Sequence, residues 1–404
     1  MKWEKVKLGD ICKYVTSGGT PKSSIKEYYE PKQIPWLKTK EVNYCRIYET
    51  ESYISKDGLD NSSAKMIPQN SVIVAMYGQG DTAGRVAINK IPLTTNQACC
   101  NLIIDETKAY YEFVYYQLVT LYEKMVSLKN GGAQPNLNAA IIKSIEIKLP
   151  PLKTQRYIAD ILSSYDNLIE NNQKQIKLLE EAAQRLYKEW FVDLCFPGHE
   201  NTKIVDGVPE GWRVASIADI CDTVGGGTPS TKIQSYYEKG DILWVTPTDI
   251  TRNFSLALLD TEKKITPEGL KNSSAKMLPA ETILMTSRAS VGFFGMCKYE
   301  VCTNQGFISC IPKRENLQMY LLFNLKSRVE EIRQKAGGST YLEISKTVFR
   351  ELKIILPKDE VLAEYQKNVH DIFDEIYCRT EMIKNLVDMR NRLLPKLMNG
   401  EVEA

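Results

Sequence analysis

The peptide Gly58-Leu59-Asp60-Asn61-Ser62-Ser63-Ala64-Lys65-Met66-Ile67-Pro68 returns as Gly269-Leu270-Lys271-Asn272-Ser273-Ser274-Ala275-Lys276-Met277-Leu278-Pro279, so the chain contains one kind of domain twice. The register extends far beyond this peptide. Tyr28-Tyr29-Glu30 reappears as Tyr236-Tyr237-Glu238, Trp36 as Trp244 and Thr95-Asn96-Gln97 as Thr303-Asn304-Gln305, each displaced by 208 (236 − 28, 244 − 36, 303 − 95). The shift is 211 at the Ser-Ser-Ala-Lys peptide (269 − 58), which places small insertions between the shared anchors. Trp3 to Cys12 matches Trp212 to Cys221, Gly18-Gly19-Thr20-Pro21 matches Gly226-Gly227-Thr228-Pro229, and Leu149-Pro150 matches Leu356-Pro357. Helix or strand periodicity explains neither the identities nor their order, and two copies are too few for a solenoid.

Each copy reads as a mixed α/β domain. Val72 to Met76 and Ile283 to Met285 are expected as buried strands, Ile145 to Leu149 alternates as a half-exposed strand, and Tyr110 to Leu121 and Gln318 to Arg333 look helical. The expected organisation is a first domain over 1–150, a helix over 151–195, a linker over 196–211, a second domain over 212–357 and a closing helix over 358–404.

The segments after the two domains differ in kind from the domains. No proline or glycine stands between Pro151 and Pro197, and the apolar positions fall into two seven-residue series. One holds Ile158, Tyr165, Asn172, Leu179 and Leu186; the other holds Leu162, Ile169, Ile176, Ala183 and Trp190. The closing segment repeats the pattern with Leu362, Val369, Ile376, Ile383 and Leu397, and with Tyr365, Ile372, Leu386 and Leu393, interrupted by Arg379 and Arg390. Such a heptad seam cannot be hidden by one helix alone. The seams therefore predict an antiparallel coiled coil between the two helices, with Asn172 as a register-setting polar position and the domains related by a pseudo-two-fold axis. The alternative is that each helix folds back on its own domain.

Composition narrows the chemistry. The hydrophobic fraction of 43% and charged fraction of 25% are those of a globular protein, and no apolar run has the length of a membrane span. Together with a start that carries no apolar signal region, this gives a cytoplasmic expectation. Ten cysteines without a Cys-x-x-Cys spacing read as buried free thiols, and only two histidines, His199 and His370, leave no basis for a histidine-built zinc site or a Ser-His-Asp triad. Neither an Asn/Asp-Pro-Pro-aromatic motif nor a Walker loop is present. Glu146-Ile147-Lys148 and Glu351-Leu352-Lys353 have a nuclease-like spacing without the preceding acidic partner. No catalytic, cofactor-binding or metal-binding residue is assigned.

Two similar domains in opposed orientations match the symmetry of duplex DNA, and a helical spacer between them would set the distance between half-sites. A formal net charge of +2 is compatible with DNA binding only if basic residues gather on one face. Segments that keep their frame but change chemistry between copies are the candidates for reading bases: Lys38-Thr39-Lys40 against Thr246-Pro247-Thr248, and Tyr77-Gly78-Gln79-Gly80-Asp81 against Ser287-Arg288. Arg85 is a further DNA-binding candidate. Shared features are candidates for the phosphate backbone: Thr20, Lys22 and Ser23 after the glycine pair, their counterparts Thr228, Thr231 and Lys232, and Lys65 and Lys276. The bland reading is that these are solvated loops, that Met66 and Met277 lie in the core beside a helix cap, and that Asn96-Gln97 and Asn304-Gln305 are buried amides fastening a loop.

The chain resembles the specificity subunits of Type I restriction-modification systems. The resemblance spans essentially the full length and rests on the two domains, the two helices, and endings such as Leu186-Tyr187-Lys188-Glu189-Trp190-Phe191-Val192-Asp193 and Leu393-Leu394-Pro395-Lys396-Leu397-Met398-Asn399-Gly400-Glu401. Gly211-Trp212 and Trp3 also fit as domain starts, although Trp3 lacks the usual preceding Pro-Glu-Gly. The resemblance implies a non-catalytic DNA-binding subunit with two target-recognition domains, each reading one half of a bipartite asymmetric site. It implies double-stranded DNA, two methyltransferase (modification) subunits and two restriction subunits as partners. S-adenosylmethionine, ATP and magnesium would be bound by those partners and not by this chain. The competing readings are a fused enzyme, an interaction scaffold without a DNA role, and a silent recombination cassette.

Overall fold

The computed structural model describes residues 3–78, 80–129, 136–338 and 341–401. The chain forms two compact units, Met1–Asn167 with Leu386–Ala404, and Leu168–Asn385. Each unit contains one copy of the repeated domain and a stretch of both long helices, Leu152–Phe191 and Asp359–Asn399.

In the first unit a five-stranded sheet runs in the order Cys12–Ser17, Cys99–Ile104, Val72–Ala75, Val86–Asn89 and Cys45–Ile47. Val72–Ala75 and Cys99–Ile104 are buried at every residue, which is why Val72–Ala75 reads as a continuous apolar run and not as an alternating one; in Cys99–Ile104 the buried Asn101 donates to the Thr95 hydroxyl at 2.8 Å. Tyr53–Ile54, Ile34–Leu37 and Thr94–Thr95 form a smaller sheet, and Glu4–Lys7 pairs antiparallel with Glu146–Leu149. Phe113 on the helix Tyr111–Thr120 joins Leu102, Val72 and Val86 in the main core.

The second unit has the same plan. Cys221–Val224, Phe307–Pro312, Ile283–Thr286 and Phe294–Gly295 form a four-stranded sheet. Lys264–Ile265, Ile242–Val245 and Cys302–Thr303 form the small one, and Arg213–Ser216 pairs with Lys353–Leu356. The helix expected over Gln318 to Arg333 is two helices, Gln318–Ser327 and Val329–Gln334.

The two long helices pair antiparallel within each unit. In the first, Ile158 and Leu162 share a core with Leu394, Leu397 and Met398, and Asp166 pairs with Arg390. In the second, the Asn172 side-chain oxygen accepts from Arg379 at 3.1 Å and Tyr365 approaches the carbonyl of Ala183. Ile169, Asn172, Ile176, Leu362, Val369, Ile376 and Ile383 are buried on this seam. Tyr165, Leu179 and Leu186 are only half-buried, and the buried positions shift to Asp166 and Tyr187. The same slip puts Phe373 inside where Ile372 was expected. A straight helix of 3.6 residues per turn drifts from a strict seven-residue repeat. The start of the first helix also packs on its own domain: Ile158, Ala159 and Leu162 belong to the core that contains Phe113.

The closing residues of the first helix have a structural task. Tyr187, Trp190 and Phe191 stack with Tyr320 and Tyr365, with the Phe191 ring 4.8 Å from each of the last two. Asn324 donates to the Tyr187 hydroxyl at 2.8 Å. This aromatic cluster fastens the helix end to the second domain.

Candidate nucleic-acid interface

The shared anchors meet in space and form a framework. In the first domain the Gly18-Gly19-Thr20-Pro21 turn is wedged between the Ser63-Ala64 and Thr95-Asn96 backbones, where a Cβ on Gly18 would stand 2.1 Å from the Thr95 carbonyl oxygen. Only glycine fits such an approach. The Trp36 indole donates to the Gly19 carbonyl at 3.0 Å and the Tyr29 hydroxyl to the Pro21 carbonyl at 2.7 Å. The second domain reproduces both bonds, Trp244 to Gly227 at 3.0 Å and Tyr237 to Pro229 at 2.7 Å. Backbone polar groups of the glycine turn therefore serve internal bonds, which explains why the anchors recur together.

The polar ends of this framework point outward. Thr20, Lys22, Ser23 and Lys65 are exposed, as are Thr228, Thr231, Lys232 and Lys276. The Thr20 hydroxyl donates to the Gln97 side-chain oxygen, and Thr228 does the same to Gln305 at 2.5 Å. Gln97 and Gln305 are not buried amides, and Met66 and Met277 are 44% and 39% exposed, so the expectation of a methionine in the core is corrected. The Lys65 ammonium lies 3.1 Å from the Thr16 hydroxyl.

The variable segments separate into residues that face out and residues that brace. Thr39 and Ser287 are buried, at 9% and 3%, which removes their side chains from direct base contact. Thr246 caps the helix Pro247–Arg252 through a capping box with Asp249, leaving Thr248 as the exposed member of its segment. Lys38 lies 5.0 Å above the Trp36 ring, and Lys40 is paired with Glu51, whose carboxylate holds the ammonium above the ordinary lysine range. Arg85 is clamped by Asp81 at 2.6 Å and by the Asn43 side chain at 3.0 Å. Tyr77 is half-buried, and burial pushes its hydroxyl pKa up. Gln79 lies outside the described residues. Arg288 reaches the surface beside Glu343 at 3.6 Å.

A further loop escaped the reading of the sequence. Leu137 donates its backbone N–H to Met76 at 3.0 Å, and Ile344 donates to Ser287 at 3.1 Å, so in each unit a segment before the last strand packs against the variable turn. The signal was available: Gly131-Gly132 and Gly337-Gly338 precede Leu137 and Ile344 at similar spacing. In the second unit this segment exposes Tyr341 and Leu342.

His370 stands between Glu281 at 3.1 Å and Asp374 at 3.4 Å, and Asp374 also pairs with Lys298 at 2.5 Å. The cluster ties the closing helix to the Glu281 and Lys298 segments of the second domain.

Among known proteins, the family model of the Type I restriction modification DNA specificity domain matches residues 1–181 and again 209–388. The chain is 30% identical to the Type I restriction enzyme MjaIX specificity subunit of Methanocaldococcus jannaschii, covering 100% of this chain and 94% of that protein. It is 24% identical to the HindI specificity subunit of Haemophilus influenzae, over 99% of each chain. The crystal structure of a Type I restriction-modification S subunit from M. genitalium shares the fold, with a TM-score of 0.61 at 17% identity and coverage of 98% of this chain and 96% of that one. By sequence over nearly its whole length, and by the twofold match of the family model, the chain belongs to the Type I restriction-modification DNA specificity family.

Proposed function

We propose that this chain is the DNA-sequence-specificity subunit of a Type I restriction-modification complex, in which each of its two domains reads one half of a bipartite, asymmetric site. The observation that carries the reading is a shared framework holding different outward chemistry. Equivalent turns, tied by Leu137 to Met76 and by Ile344 to Ser287, present Tyr77 in one domain and Arg288 in the other. Two readers built on one scaffold recognise two different half-sites. The exposed Thr20, Lys22, Ser23 and Lys65, with Thr228, Thr231, Lys232 and Lys276, are assigned to phosphates.

The chain acts as the non-catalytic component. Methyl transfer and cleavage belong to modification and restriction subunits, two of each in this proposal, which bind S-adenosylmethionine, ATP and magnesium. The paired helices set the spacing of the half-sites and offer a surface to the modification subunits. Among the described residues no helix is long and apolar enough to cross a membrane, and the proposed location is the cytoplasm, with the chromosome.

The test is selection of duplexes from a random library by the chain bound to its modification subunits. Enrichment of a split motif with a fixed gap supports the reading. Binding that enriches no sequence leaves an interaction scaffold, the second reading.

A further inference from the structure

Arg288 and Glu343 face one another across an isolated antiparallel bridge. Directly opposed residues in such a bridge project from the same face. The Arg288 guanidinium Nε and a Glu343 carboxylate oxygen are 3.6 Å apart, and the two side chains are 46% and 50% exposed. The backbone beneath is fixed on both sides: Ala289 donates to Leu342 at 2.8 Å, Ile344 to Ser287 at 3.1 Å, and Glu343 exchanges bonds with Gly337 at 2.8 and 2.9 Å. Ser287 in turn donates to Gly306 at 2.8 Å, which joins the turn to the shared framework. A fork of donors and an acceptor are thus carried on a braced platform at the surface of the second domain.

We propose that Arg288 and Glu343 together read a single G·C base pair in the half-site of the second domain. In the major groove, guanine presents two acceptors, N7 and O6, and cytosine presents the N4 amine as a donor beside them. A guanidinium and a carboxylate side by side are the complement of that edge. The pair is free to do this because a half-exposed ion pair at this separation is weak and both members can exchange it for base contacts. Arg85 of the first domain is less exposed, at 23%, and is engaged by Asp81 at 2.6 Å and by Asn43 at 3.0 Å. In the first domain the corresponding frame carries Tyr77 and Asn136, the residues that stand beside Met76 and Leu137 as Arg288 and Glu343 stand beside Ser287 and Ile344. Neither is charged, so the first half-site is read by other chemistry at this place, and asparagine is suited to adenine.

The inference rests on the DNA-specificity reading above, and its test separates the two. The full chain with its modification subunits is titrated against its own duplex and against duplexes changed at one base pair at a time, for the natural chain and for Arg288→Ala and Glu343→Ala. Ratios of affinity between duplexes do not depend on the fraction of protein that is folded. The expected result is one G·C position in the second half-site where the natural chain prefers its base pair by roughly 5- to 150-fold. Each variant should bring that preference down to about 2-fold or less while ratios at other positions stay unchanged. A second half-site without a required G·C pair overturns the proposal, as does retention of every ratio in both variants or an equal loss of affinity for all duplexes. If the natural chain itself prefers no sequence, the DNA-specificity reading fails first.

Discussion

Asp166 of the central helix and Arg390 of the closing helix form a 2.5 Å ion pair inside the first unit, and the Tyr116 hydroxyl donates to the other Asp166 oxygen at 2.5 Å. Asp166 is only 9% exposed. Like the Asn172–Arg379 contact of the second unit, the pair puts polar groups on the helix seam, and it locks helix to helix and helix to domain at one point. Removing one partner from a buried pair leaves an uncompensated charge. Arg390→Met should therefore destabilise the first unit by about 3 kcal/mol, and adding Asp166→Leu should recover most of the loss. Urea unfolding of the single and double variants measures both; equal stability of the single variant and the natural chain contradicts the assignment.

Gly18 and Gly226 occupy matched wedges, with a substituent at either standing 2.1 or 2.0 Å from the carbonyl oxygen of Thr95 or Thr303. Backbone atoms cannot yield as a flexible side chain does. Gly18→Ala and Gly226→Ala should each cost about 2–3 kcal/mol, with the effect confined to the domain that carries the change. Hydrogen exchange of each domain reads this directly.

The cysteines divide by burial. Cys195 and Cys378 are exposed, whereas burial pushes the Cys12, Cys100 and Cys302 thiols up to about 12. A raised thiol pKa keeps the reactive thiolate scarce up to high pH. Thiol-directed labelling of the native protein at pH 8 should modify Cys195 and Cys378 first. Raising the pH to 9 should leave Cys12, Cys100 and Cys302 unlabelled until the chain is unfolded, which mass spectrometry of the labelled peptides checks.

Phosphate contacts predict a salt signature. Lys22→Ala or Lys232→Ala should weaken binding to all duplexes alike and reduce the slope of log affinity against log salt by about 1 per lysine removed. A change in which sequence is preferred would move these residues from the backbone to the bases.

The duplication, the mixed fold and the pairing of the helices were legible because they rest on sequence identity and apolar periodicity. Val72–Ala75 reads as a buried strand for that reason. The seam was legible only to within one residue: burial of Asp166 and Tyr187 in place of Tyr165 and Leu186 follows from helical drift and from packing on the domains, which no strict repeat contains. The glycine turn was visible as a shared motif, but its internal role came from long-range approaches to Thr95 and Thr303 that local sequence does not encode. Glu343 was missed for a related reason, since its importance arises from a bridge to Arg288 across 55 positions (343 − 288).

The central claim is that the two domains read separate half-sites, and the direct measurement is adenine-methylation mapping, by single-molecule sequencing, of DNA from cells expressing this chain with its modification subunit. The account predicts a split motif, methylated in both halves, and exchange of residues 1–150 for those of another family member should alter one half alone. An active modification subunit that methylates no new motif, or an exchange that alters both halves, would contradict it.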